Sequence, residues 1–117
     1  MIEAGIDIIE IDRIDSAVRR HGQAFLDRVY TVVEQSECGG RAESLAGRFA
    51  AKEAAFKVLG GRFAWRDVEV QRQVSGKPLL LLHGSARDQA IRLGIREWSV
   101  SLSHSRRDAV AVVVARD

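Results

Sequence analysis

Asp7, Glu53 and Lys57 are the residues whose types and spacing could do chemistry together. Two carboxylates can hold a hard cation such as Mg²⁺, which takes a few protein oxygens and fills its shell with water and substrate phosphate. Lys57 follows Glu53 by four positions, so on a helix both project to the same side. An ammonium placed there could meet the same phosphates or protonate a leaving oxygen. Arg48, Lys77 and His104 could hold further phosphate. His104 lies between Ser103 and Ser105 at the end of an alternating segment, a setting that suits an anion contact or a base. On spacing alone other roles stay open. Asp7 could end a strand with a structural hydrogen bond, and Glu–Lys at i,i+4 is a common stabilising pair on any helix.

The elements that must position these groups follow from patterning. Leu45–Gly60 reads as helix, rich in Ala and Leu, free of Pro and stopped by Gly60-Gly61. At about 100° per residue its apolar side chains cover almost the whole circumference, the mark of a mostly buried helix. Arg48 and Lys52 project from one side of it, Glu53 and Lys57 from another. Charges on a buried helix must be paired, hold a metal or face a ligand.

Upstream, Ile2, Ala4, Ile6 and Ile8 alternate with Glu3, Gly5 and Asp7, predicting a strand with one buried face and Asp7 on the side opposite the isoleucines. A helix is expected from Asp12, as N-cap, to His21, and a short one over Ala24–Val29. Thr31–Glu34 is a capping box opening another turn of helix. Residues 36–43 read as a loop. Val68–Arg72 and Leu79–Leu82 form a hairpin about the turn Ser75–Pro78. Ser85 is a candidate cap for a helix over Ala86–Leu93. Trp98–Ser103 and Ala109–Ala115 make a second, central hairpin. The expectation is one small α+β domain, residues 1–117, with helices packed on a mainly antiparallel sheet.

The 117-residue length supports one core. No run approaches the ~18 apolar residues of a membrane span, so no membrane partner is expected. Glu3 stands where an export signal needs basic residues, and the single Cys38 excludes an internal disulfide, so a reducing, cytoplasmic setting is expected. Cys38 has no base near it in sequence and makes a poor candidate nucleophile. The net charge of +2 is too small to imply nucleic acid. Its distribution is uneven: Arg13, Arg19, Arg20, His21 and Arg28 crowd one region against Asp15 and Asp27, either as a solvated face or as a docking patch for an acidic partner.

The ordered set of motifs goes further. Gly5-Ile-Asp-Ile-Ile-Glu-Ile-Asp-Arg-Ile14 opens the chain. Phe25 with Arg28 and Thr31 with Glu34 come next, then Leu45-Ala-Gly-Arg-Phe-Ala-Ala-Lys-Glu-Ala54, Trp65 with Asp67–Val70, Gly76-Lys-Pro78 and Ser101-Leu-Ser-His104. Over essentially its full length, the sequence resembles the holo-acyl-carrier-protein synthase family of 4′-phosphopantetheinyl transferases.

That resemblance implies transfer of the 4′-phosphopantetheine arm of coenzyme A to a serine of apo acyl carrier protein, releasing adenosine 3′,5′-bisphosphate. It implies Mg²⁺ held by Asp7 and Glu53, with Lys57 at the phosphates as acid. Arg48 and His104, with neighbouring Ser103, match positions at the 3′-phosphate of coenzyme A, and Gly76, Lys77 and Pro78 match the loop lining the nucleotide. Glu53 is the preferred acceptor of the serine proton, ahead of Asp7. Glu10 matches an acid near the site. The resemblance also implies the transferase fold, a homotrimer with active sites at subunit interfaces, and docking of the acidic carrier on Arg13, Arg19, Arg20 and Arg28. A neighbouring subunit would then cover part of the all-round apolar helix. Residues 35–44 are short against many relatives, leaving Arg41 as the only basic residue there.

Two other classes fit the residues less well. A non-catalytic coenzyme A-binding subunit would have no need for both carboxylates and the lysine. A nucleic-acid-binding domain would need interleaved aromatics, which make up only 6% of the chain, and a continuous basic stripe.

Overall fold

Alternating and helical patterns resolve into ten elements in the computed structural model, which describes residues 1–117. They are β1 (Ile2–Glu10), α1 (Ile11–His21), α2 (Gln23–Val29), α3 (Val32–Cys38), α4 (Ala42–Leu59), β2 (Val68–Arg72), β3 (Pro78–Leu82), α5 (Gly84–Arg92), β4 (Glu97–His104) and β5 (Asp108–Arg116). A 3₁₀ turn, Trp65–Asp67, leads into β2. The main sheet has the order β1-β5-β4 and is antiparallel throughout, and β2 and β3 form a separate antiparallel hairpin. The α+β expectation and both hairpins are borne out, with β5 the central strand.

Helix α4 lies across one face of this sheet because both surfaces are built from small side chains. Ala50, Ala51, Ala54 and Ala55 on the helix, and Ala109, Ala111 and Ala115 on β5, are buried. Gly5 on β1 takes this to its limit. A Cβ there would stand 2.2 Å from the carbonyl oxygen of Ala54, so only glycine lets strand and helix approach this closely.

The alternation in β1 is real, but its buried face is the opposite of the one the isoleucines suggest. Gly5 and Ile9 are buried and Asp7 half-buried, facing α4, whereas Ile2, Ile6 and Ile8 are 77%, 59% and 65% exposed. Ile6 and Ile8 pair with Val112 and Val110 of β5, and Val112 and Val114 are also open. The uncovered apolar surface is therefore the outer sheet face and not α4, which the chain buries by itself.

Helix boundaries show three further differences. Glu10, not Asp12, is the N-cap of α1, and Asp12 sits in the first turn. His83, not Ser85, precedes α5, and the Ser85 hydroxyl donates to Asp67. The expected loop over residues 36–43 shrinks to a short link: the Thr31–Glu34 capping box starts a helix that runs to Cys38, Gly39 ends it in the left-handed region at φ 57°, and α4 begins at Ala42.

Behind α4 lies a charged brace. Lys52 and Glu34 are both 0% exposed and bond at 2.8 Å. Lys52 also donates to the carbonyls of Trp65 and Val68, and Glu34 accepts from the backbone N–H groups of Thr31 and Val70. Burial pulls the Lys52 ammonium below its ordinary value, and the Glu34 carboxylate opposes that. The pair ties α3, α4 and β2 together with every polar atom satisfied. Burial likewise raises the Cys38 thiol, which leaves it a core residue without nucleophilic character.

Candidate active site

Helix α4 carries charged groups from two sides and thereby builds two neighbouring clusters. The first surrounds a cleft of about 280 Å³ against the free edge of β4. Arg48, Gly76, Pro78, Ser103 and His104 all line it, together with Val70, Gln71 and Arg72 of β2. Sequence reasoning placed these five residues in one site and the fold brings them together. Lys77 is exposed and lies outside the lining, although its backbone holds the turn through a bond to Ser75 Oγ. Arg48 is buried: its Nη1 donates to Glu37 Oε1 at 2.9 Å and to the Val70 carbonyl at 2.7 Å. His104 is exposed at the strand end, with Nδ1 3.3 Å from the Ser105 carbonyl oxygen.

The second cluster stands where β1 meets α4. Lys57 Nζ crosses to β1, donating to the Ile6 carbonyl at 2.7 Å and meeting Asp7 Oδ1 at 3.3 Å. Glu53, one turn away on the same side of α4, is bonded by Arg62 Nη2 at 3.2 and 3.3 Å. The Arg62 guanidinium also lies over the rings of Phe56 and Trp65. So the i,i+4 neighbours Glu53 and Lys57 each take a different partner. Glu10 stands at the β1–α1 junction, exposed and without a side-chain bond. Along the helix axis, Arg48 and Lys57 are roughly 14 Å apart at about 1.5 Å per residue.

The arginines of the first two helices are all exposed. Arg13 and Arg20 line a shallow groove with Asp12, Ser16 and His21. Arg19 is paired with Asp15 on the same helix. Arg28 sits on α2 with no ion-pair partner. Arg41 is turned back to the end of α3, donating to the Glu37 carbonyl at 2.9 Å and reaching Ser44.

Two participants were missed in the sequence. Glu37 falls in what read as loop, although the capping box followed by Gly39 marks a helix ending there. Arg62 follows the glycine stop of α4 without any periodic context, and no local pattern links it to Glu53.

Comparison with known proteins gives one answer. Residues 3–113 match the model of the 4′-phosphopantetheinyl transferase superfamily. A holo-[acyl-carrier-protein] synthase of Herpetosiphon aurantiacus is 52% identical, over 97% of this chain and 98% of that protein. One from Dehalococcoides mccartyi is 48% identical over the whole of both. The crystal structure of Helicobacter pylori holo-[acyl-carrier-protein] synthase in complex with coenzyme A superposes with a TM-score of 0.89 at 33% identity, covering 97% of this chain and all of that one. The Neisseria meningitidis enzyme also gives 0.89, at 31% identity over the whole of both chains.

Proposed function

The chain belongs to the 4′-phosphopantetheinyl transferase superfamily, and from that premise we propose that it is a holo-acyl-carrier-protein synthase. It transfers the 4′-phosphopantetheine group of coenzyme A to a serine hydroxyl of apo acyl carrier protein and releases adenosine 3′,5′-bisphosphate. The observation that carries this reading is the reach of Lys57 from α4 to Asp7 on β1, one turn from Glu53. It sets two carboxylates and an ammonium on rigid elements that also carry the Arg48 cleft.

Asp7 and Glu53 are the proposed holders of Mg²⁺. The chemistry of the donors fits: two carboxylates, one on β1 and one on α4, each now met by a cationic side chain, suit a cation that completes its shell with substrate oxygen and water. When bound, the ion would offset charge developing on the diphosphate oxygens. The remaining steps belong to the protein. Glu53 accepts the serine proton, with Asp7 the weaker candidate. The serine oxygen bonds to the phosphorus of the pantetheine phosphate as the diphosphate P–O bond breaks. Lys57 contacts the phosphates and protonates the departing oxygen. Arg48 and His104, with Ser103, take the 3′-phosphate of coenzyme A, and Gly76, Lys77 and Pro78 line the nucleotide.

Residues 1–117 act as one transferase domain, a reading supported by a single continuous core of 26 residues. The exposed apolar face of β1 and β5 supports a homotrimer with active sites shared between subunits. The exposed arginines of α1 and α2 support docking of an acidic carrier protein there. The free Cys38 supports a reducing, cytoplasmic setting, and no helix is long and apolar enough to cross a membrane.

The test is direct. Incubation with coenzyme A, Mg²⁺ and an apo carrier protein should add one phosphopantetheine to the carrier mass. Coenzyme A binding without any mass gain across several carriers would overturn the reading.

A further inference from the structure

Arg48 has five N–H donors in a fixed fork, and the structure shows how they are divided. Both hydrogens of Nη1 are used, one by Glu37 Oε1 and one by the Val70 carbonyl. Nε and Nη2 have no partner in the protein. Every side-chain nitrogen and oxygen fully withdrawn from solvent does have one. The Nε and Nη2 edge therefore reaches the open space of the cleft that Arg48 lines. Two parallel N–H groups on one guanidinium edge match two oxygens of one phosphate.

The choice of edge traces to Glu37. Its Oε1 accepts from Arg48 and also from the backbone N–H of Arg72, both at 2.9 Å. The carboxylate is thus fixed by β2 on one side and fixes the guanidinium on the other. A neutral acceptor would hold Arg48 less firmly, because charge-assisted bonds are roughly twice as strong. Without any acceptor, the Val70 carbonyl alone would leave the fork free to rotate about its stem.

We infer that Glu37 is a positioning residue that turns the free edge of Arg48 toward the phosphate and so sets discrimination for a phosphorylated ribose. This rests on the reading above that Arg48 meets the 3′-phosphate of coenzyme A. Glu37 does not line the cleft, and it acts through Arg48.

The experiment measures affinity by calorimetry for coenzyme A and for 3′-dephospho-coenzyme A. It compares the wild type with Glu37→Ala, Glu37→Gln and Arg48→Ala, with melting curves run alongside. The ratio of the two affinities should fall about tenfold in Glu37→Ala, the loss expected when a bond to a charged group is removed. It should fall by less in Glu37→Gln, which keeps both acceptor contacts. Binding of the dephospho ligand should stay near wild type in both. If Glu37→Ala does not fold, the ratio in Glu37→Gln decides alone. An unchanged ratio in the Glu37 variants, with a collapsed ratio in Arg48→Ala, overturns the role of Glu37 and leaves the phosphate contact standing. A rise in the ratio, as removal of a repelling carboxylate would give, overturns it equally. An unchanged ratio in Arg48→Ala overturns the phosphate contact itself, and the inference with it.

Discussion

The ammonium of Lys57 leaves its own helix and meets the carboxylate of Asp7, 50 residues earlier in the chain, at 3.3 Å. Its i−4 neighbour Glu53 is bonded instead by Arg62. A solvated helix would pair Glu53 with Lys57; here each is directed across a seam between elements. Lys57 is more than half exposed, so the contact with Asp7 adds little stability, on the order of 0–1 kcal/mol. Its importance lies in the chemistry.

Lys57→Ala should accordingly lower the transfer rate by about 10²–10⁴, the usual worth of a positioned acid. Glu53→Gln should abolish transfer. Both variants should melt close to the wild type, since neither residue is buried. Initial rates with an apo carrier, read beside melting curves, check this; an unchanged rate in Lys57→Ala would remove it as the acid.

Gly5→Ala should destabilise the fold by about 1–3 kcal/mol, because the new Cβ meets a helix carbonyl that can move only with α4 itself. The same shift would part Asp7 from Lys57. Urea unfolding should therefore show a lower midpoint, and activity should drop in the population that remains folded.

Removing one member of the buried brace is the costlier change. Lys52→Met leaves Glu34 charged and without its ammonium, and should cost about 3–5 kcal/mol. The double variant Lys52→Met with Glu34→Gln should recover a large part of that. Equal losses in the single and double variants, measured by denaturant unfolding, would show that packing rather than charge dominates.

Acid stability should depend on Glu69. Burial raises its carboxyl, but hydrogen bonds from Thr31 and His83 outweigh that and hold it below its ordinary value of 4.5. A carboxyl lowered on folding contributes stability that is present above its unfolded value and is lost as pH falls through the folded one. Stability should thus decline as pH drops below about 4.5, and Glu69→Gln should flatten that decline. Melting temperatures between pH 7 and pH 3 give the comparison.

Ile6→Lys should place a charge in the middle of the exposed face formed by β1 and β5. Sedimentation should find the wild type as a trimer and the variant as a monomer with an unchanged circular dichroism spectrum. A wild-type chain that sediments as a monomer would end the trimer reading.

Much of this was legible from residue types. The Ala-rich run with its glycine stop specified α4, alternation specified β1 and β4, and the turn at Ser75–Pro78 and the apolar runs Leu79–Leu82 and Ala109–Ala115 specified the remaining strands, because these signals are local. Arg48, Gly76, Pro78, Ser103 and His104 were grouped from ordered motifs and line one cleft, whereas Lys77, grouped with them, does not. The buried side of β1 was not legible, because the isoleucine rule assumes that a strand hides its apolar face within its own chain. Here Gly5 and the alanines win the contact with α4 by being small. Nor could the sequence show that Glu53 would find Arg62, or Arg48 find Glu37, since those pairs depend on how a turn and a helix end are placed in three dimensions.

The pairing of β1 with β5 has a temporal consequence. β1 is an edge strand whose only sheet neighbour is β5, and β5 follows every helix in the chain. Asp7 is made among the first residues, yet its backbone has no ladder to join until the segment around Ala111 exists. Contacts between such distant segments form late, after the local helices. During synthesis, α4 can fold and present Glu53 and Lys57 while Asp7 still lies on an unpaired strand. The three groups come together only on completion of the sheet, so a chain truncated before β5 would present Glu53 and Lys57 on α4 without Asp7 beside them.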